Sequence, residues 1–365
     1  MAHLTLNILA GCVFGMSAQN EKPAYETVTR NIAVALDEVE KRAFKLLAII
    51  PLVNRLPLPS KLRIDASMRE VRRVVQHIID ERKKGLSKSA CKGPDLLDLL
   101  LAARDDGKQK KFTDEEIYEE AITFVSAGHE TTSNLMTWAL YNLAANPEVY
   151  QRCLDEVDSV MSIDNEFNAS MLSLLPYTEA VLKETLRLYP PVPLLFRTAV
   201  EDNTLVASDG KHIHVKKGTE LVLNLYMLHH SEKYWPEPSK FDPSRFDQGQ
   251  SEAFLPFAAG SRSCIGQNFA MIEAKILLAT ILQQFHFELV PDQTYVPAVA
   301  ITMRPSVWLD AQVNATEDNR NTQRKLGEII NHLKTFDDEN LCHQNISSLF
   351  PQDRLVLIIS GRCGR

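Results

Sequence analysis

The chain has 365 residues, 45% hydrophobic and 24% charged, with a formal net charge of −7. That length can bury a sizeable core, and the balance is globular, which excludes collagen-like and low-complexity chains. The acidic balance argues against a nucleic-acid surface, so no nucleic-acid partner is expected.

In chain order, most of the first 310 residues read as helical. Segments 28–47, 66–84 and 115–145 place apolar residues three and four apart, so each gathers one apolar face. The basic clusters at 69–73 and 82–84 are expected on a solvated face of the second segment. Thr113 and Glu116 have the spacing of a capping box for the third, which Asn146-Pro147 ends. Pro147 opens a helix running through 148–161. A further helix, 177–188, is stopped by Pro190 and Pro191. The region 197–228 changes character, with β-rich runs at 213–215 and 220–225 set off by Gly210 and Gly218. The stretch HHSEKYWPEPSKFDPSRFDQG then has no period and is too long for an idle connection. The histidine pairs His212/His214 and His229/His230 are expected to be exposed. Helical periodicity returns over 266–285. From 311 onward a polar, linker-like stretch leads to a short helix pattern at 326–333 and a strand-like run at 354–359. The organisation expected is one large helical domain over 1–310 and a linker with a truncated α/β-like tail over 311–365.

Six cysteines (Cys12, Cys91, Cys153, Cys264, Cys342, Cys363) are scattered without a CxxC pair, which suits a reducing compartment. The N-terminus shows no signal-peptide pattern. The longest apolar run, 46–53, is broken by Pro51 and too short to span a bilayer. A soluble or at most peripheral protein is expected.

The strongest chemical signal is FAAGSRSCIG, from Phe257 to Gly266. A thiolate is a soft anionic ligand that suits iron and pushes electron density toward bound dioxygen. Gly260 and Gly266 permit close backbone approach to a flat cofactor. Cys264 stands just before a long helix, where unpaired N–H groups favour a thiolate. Arg262, two residues earlier, is placed to bind a carboxylate of the cofactor.

The pattern F-x-x-G-x-R-x-C-x-G resembles the haem-ligand loop of the cytochrome P-450 monooxygenases, and all five specified positions match. Average residue usage gives such a match by chance on the order of once in ten thousand chains of this length, which disfavours a mere buried cysteine at a turn. Three other stretches resemble family motifs in the family's order. Glu184-Thr185-Leu186-Arg187 resembles the E-x-x-R motif, whose members share a helix face. Arg245, in FDPSRF, looks like the third member, supplied by the meander; the resemblance implies a structural role bracing the haem pocket. Ala127-Gly128-His129-Glu130-Thr131-Thr132 resembles the oxygen-activation motif of the central helix. There the hydroxyl of Thr131 and the acid of Glu130 would deliver protons, and Gly128 would open space over the haem. His129 lacks the partner at 133 that a zinc HExxH pattern needs. Arg197, after Pro190-Pro191-Val192-Pro193, resembles the arginine that contacts a haem propionate, with a surface salt bridge as its competing role.

The resemblance implies a mainly α, partial cytochrome P-450 fold: a large helical domain with a small β region, lacking the N-terminal strands and early helices. LTLNILAGCVFG, 4–15, looks like a helix normally found well inside the family, and the resemblance leads us to expect no membrane anchor ahead of it. An open sheet edge and exposed core are therefore expected. The resemblance further implies haem b (iron protoporphyrin IX), electrons from NADPH through a separate flavin reductase, O2 and a small lipophilic substrate. It places such proteins on the cytosolic face of the endoplasmic reticulum membrane, here with peripheral contact only. Some fatty-acid ω-hydroxylases esterify haem through a glutamate just before the central-helix glycine; Ala127 stands there, so no such link is expected. Three activities stay open: a monooxygenase, a catalytically incomplete haem-binding remnant, and a thiolate-haem isomerase or dehydratase. Retention of Glu130-Thr131 favours oxygen activation over the third.

Overall fold

The computed structural model describes residues 1–16, 22–43, 58–85, 93–105, 112–161, 169–207, 209–247, 249, 251–289, 294–299 and 302–308. The tail expected over 311–365 and the end of the helix expected over 28–47 lie outside them. Among the described residues are nine α-helices and three two-stranded antiparallel sheets, a mainly α architecture. Contacts divide the chain into two units, Met1–Asn134 with Ala300–Thr302, and Leu135–Val299 with Met303–Arg365.

The first unit is helical. Helix α1, Ala2–Phe14, ends on Gly15 at φ 62°, whose N–H donates to the Gly11 carbonyl, the left-handed stop that glycine adopts without a Cβ clash. Helix α2, Lys22–Ala43, packs along α3, Pro59–Lys83, which opens on a proline in its first turn. Helix α4, Leu96–Asp105, is capped by Asp95, whose Oδ1 accepts from the Asp98 N–H at 2.8 Å. The long helix α5, Asp114–Ala145, begins at the expected capping box: Thr113 N–H donates to Glu116 Oε2 at 2.8 Å, and Glu116 N–H to Thr113 Oγ1 at 3.1 Å. Leu6, Leu9 and Phe14 of α1, Val28 and Ile32 of α2, and Val71, Val75 and Ile79 of α3 form one buried cluster with Leu97, Ile117 and Val125. Each such side chain contributes about 1.5–3 kcal/mol on burial.

One basic residue departs from expectation. Arg69, Arg72 and Arg73 are solvated, but the Arg82 side chain is only 5% exposed. Its guanidinium pairs with Asp95 at 2.9 Å and Asp98 at 2.5 Å and donates to the Phe14 carbonyl at 3.2 Å. Two carboxylates at the start of α4 make that burial tolerable, a tertiary pairing that local charge patterning does not reveal.

The second unit takes the rest of α5, then α6, Pro147–Val160, and α7, Pro176–Leu188. Glu156 on α6 caps α7 from outside, its carboxylate accepting from the Tyr177 and Thr178 N–H groups at 2.7 Å each. Strand β1, Leu194–Thr198, pairs with β4, Glu220–Asn224, and β2, Asn203–Val206, with β3, His212–Val215. The short helix α8, Leu225–His229, and α9, Gln267–Gln284, follow, then the hairpin of β5, Thr294–Val299, and β6, Met303–Trp308. Trp138, Leu143, Cys153, Val157, Val181, Leu278 and Leu282 are buried here, and the Trp138 indole stacks on Tyr189 with centroids 3.8 Å apart. Trp138, Trp235 and Trp308, the chain's three tryptophans, all belong to this unit. The cross-strand pair Phe196 and Val222 is 64% and 55% exposed. No helix among the described residues is long and apolar enough to cross a membrane.

Candidate functional site

The cysteine loop is built against the usual backbone handedness. Ala258 and Gly260 adopt φ 59° and 79°. Gly260 does so freely, whereas Ala258 carries a steric cost of about 1 kcal/mol. The chain then makes a 3₁₀ turn over Gly260–Arg262, and the Cys264 N–H donates to the Phe257 carbonyl at 2.9 Å, closing the loop. Cys264 is thereby held two residues before Gly266, the N-cap of α9, and is exposed beside Ile265, itself 85% exposed. A Cβ built on Gly266 would lie 3.8 Å from the Cys264 sulfur, an ordinary contact, while one on Gly260 meets nothing within 4 Å. Gly260 is thus required for its handedness, and Gly266 is the one that flanks the sulfur.

The other described cysteines do not offer this. Cys153 is buried on α6, where burial pushes its thiol up to about 12. Cys12 is half-buried on α1. Phe257 is half-buried. Arg262 and Arg197 are exposed, and neither forms an ion pair among the described residues. Arg197 on β1 donates only to the neighbouring Phe196 carbonyl, at 2.8 Å, so no surface salt bridge claims it there.

The E-x-x-R pair is completely buried on α7. Arg187 Nε and Nη2 meet Glu184 Oε2 and Oε1 at 2.7 and 2.8 Å, the two-pronged geometry of a guanidinium on a carboxylate. Its remaining N–H groups donate to the carbonyls of His229 and Pro238 at 2.8 Å and Lys240 at 3.1 Å. All five guanidinium donors are thereby used, one on the last residue of α8 and two on the irregular stretch that follows it. Arg245 joins as the sequence implies, its Nε 3.3 Å from Glu184 Oε1 and its Nη2 on the Glu237 carbonyl at 2.9 Å. The Asp242 N–H donates to the same carboxylate at 3.0 Å.

His229 corrects an expectation. It is wholly buried, and His230 half-buried, whereas His212 and His214 are exposed as expected. The His229 carbonyl is claimed by Arg187, which draws the residue inward, and its Nε2 accepts from the Leu255 N–H at 3.0 Å. Burial first, then the nearby Arg187 cation, pushes the ring from 6.5 down to about 4, so it is neutral at physiological pH. Nothing local in the HH dipeptide could have revealed this.

The central-helix residues lie in the first unit. Thr131 Oγ1 donates to the Ala127 carbonyl one turn back at 2.8 Å. The Glu130 carboxylate accepts from Thr302 Oγ1 at 2.5 Å, and Thr302 Oγ1 accepts from Asn134 Nδ2 at 2.7 Å. Among the described residues no hydrogen bond joins Thr131 to Glu130. His129 is buried against α1, with Nδ1 3.2 Å from Thr5 Oγ1. Gly128 has a packing role that the motif does not reveal. The position of its missing Cβ lies 3.1 Å from the Leu9 side chain, so its smallness lets α1 pack against α5. Sequence reasoning missed Thr302, Asn134 and Leu9 because each is supplied by tertiary packing or stands outside the motif.

Residues 1–306 match the family model described as cytochrome P450. The human protein cytochrome P450 4F12 is 36% identical over 310 residues, 80% of this chain and 57% of that one. Cytokinin hydroxylase of Arabidopsis thaliana is 37% identical over 311 residues, 84% of this chain and 58% of that one. The chain thus spans a little under three fifths of these relatives. A crystal structure of a cytochrome P450 (CYP102L1) matches with a TM-score of 0.68 at 29% identity, covering 84% of this chain and 65% of that one.

Proposed function

Because the chain belongs to the cytochrome P450 family, we propose that it is a haem-thiolate monooxygenase, inserting one oxygen atom from O2 into a lipophilic organic substrate. The observation that carries the reading is the Cys264 loop. It holds an exposed thiol, is closed by the Cys264–Phe257 hydrogen bond, turns on the left-handed Gly260 and places Gly266 beside the sulfur. A sulfur so presented fits an axial ligand, and the buried Cys153 does not. Haem b would supply the oxygen chemistry, made reactive by a sulfur ligand.

Cys264 would hold the iron. The exposed guanidinium groups of Arg262 and Arg197 are free of carboxylates among the described residues and suit the propionates. Phe257, Gly260 and Gly266 would shape the loop around the ligand. Glu130 and Thr131 would hold and pass protons. Glu184, Arg187 and Arg245 would act only structurally, fixing the segment that precedes the loop. Two electrons would come from NADPH through a separate flavoprotein reductase, at the cytosolic face of the endoplasmic reticulum. The name of the Arabidopsis relative supports hydroxylation as the reaction type.

The test is an absorption spectrum of the full chain supplied with haem, reduced and exposed to carbon monoxide. A strongly red-shifted thiolate–iron–CO band, lost in Cys264→Ala, is expected. A nitrogen-ligated spectrum or no haem uptake overturns the reading. A thiolate band without turnover alongside a reductase would leave the haem-binding remnant instead.

A further inference from the structure

Glu130 and Asn134 stand one helical turn apart on α5 and so share a face. Thr302, just before β6 and 172 residues along the chain from Glu130, bridges that face. Its hydroxyl accepts from Asn134 Nδ2 at 2.7 Å and donates to Glu130 Oε1 at 2.5 Å. A threonine hydroxyl has one proton, and the amide donor on its lone pair leaves that proton for the carboxylate. Thr302 and Asn134 are both buried, while Glu130 is only half-buried. A half-exposed glutamate would otherwise sample several rotamers. The neighbouring Thr131 does not hold it, because its own hydroxyl proton rests on the Ala127 carbonyl.

From these contacts we infer that Thr302, itself oriented by Asn134, is the positioning residue for the Glu130 carboxylate in proton delivery. The inference rests on the monooxygenase reading above. Thr302 reaches the reaction only through Glu130, and the hydroxyl, not the bulk of the side chain, carries the effect.

Two measurements on the full chain test it. The first needs no haem: unfolding equilibria of Thr302→Val, Glu130→Ala and the double variant form a double-mutant cycle. The hydrogen bond predicts that the double variant deviates from the product of the singles by about three- to tenfold; an additive cycle overturns the inference. The second uses the haem-loaded chain with a reductase and measures hydrogen peroxide released per NADPH consumed. Thr302→Val should raise that ratio several-fold, to the level of Glu130→Gln, with substrate KM little changed. Thr302→Ser, which keeps the hydroxyl, should restore it. A coupled cycle with an unchanged peroxide ratio would make the contact merely structural and overturn the positioning role. If the chain gives no thiolate–CO band, the functional reading fails and the relay role fails with it, whereas the cycle still reports on the contact alone.

Discussion

Two neighbouring parts of the second unit solve opposite problems. Around Arg187 every guanidinium donor has a partner inside the chain, and the irregular stretch from His229 to Arg245 is pinned to one buried ion pair. The Cys264 loop, a dozen residues on, keeps its shape through backbone handedness and short-range backbone hydrogen bonds, and turns Cys264, Arg262 and Ile265 outward. The first region is complete by itself, because a buried charge left unpaired is too costly to tolerate. The second leaves polar groups open toward a ligand. A constellation that saturates itself is scaffold, and one that is rigid yet unsaturated is a candidate site.

The largest effect is expected at Arg187. Arg187→Ala leaves Glu184 buried with only Arg245 near its charge and frees three carbonyls, so a loss of about 3–5 kcal/mol is expected in denaturant titration. Arg187→Lys should recover little, since an ammonium cannot serve the same fork. A loss below 1 kcal/mol would show that the meander does not depend on this pair.

The next effect is one of pH. His229 is held at about 4 in the folded chain against 6.5 when unfolded. Below about 6.5 the unfolded chain takes up a proton that the folded chain refuses, so stability falls until about pH 4 and is level below it. The shift corresponds to about 3 kcal/mol over that window. His229→Gln, which can still accept from the Leu255 N–H, should flatten the dependence there. An unchanged slope would place the titrating group elsewhere.

Smaller effects sharpen the other side. Gly260→Ala forces a Cβ into left-handed backbone and should cost about 1–2 kcal/mol of stability, even though the space around it is open. Cys264→Ser should change the stability of the haem-free chain by less than about 0.5 kcal/mol while abolishing the thiolate–CO band. A large loss in the haem-free chain would turn the loop into scaffold and erase the distinction.

What could be read from the sequence follows the same divide. Helices α5, α6, α7 and α9 were legible to within a residue or two, because periodicity, prolines and the Thr113–Glu116 box are local. Glu184, Arg187, Arg245 and the Cys264 loop were legible as spaced motifs. Arg82, His229, Gly128 and Thr302 were not. Their environments are set by partners elsewhere in the fold: Asp95 for Arg82, Leu255 for His229, Leu9 for Gly128 and Glu130 for Thr302. Charge and polarity along the chain say that such groups need partners, and only packing says which.

The uneven placement of tryptophan gives the molecule an optical label. Trp138, Trp235 and Trp308 all lie in the second unit, and Trp138 is sealed from water against Tyr189. Tryptophan emission therefore reports on that unit alone, while far-ultraviolet circular dichroism sums helices from both. If the two signals melt together, the units share one cooperative transition. If emission and ellipticity part company, their separation measures directly how independently each unit stands.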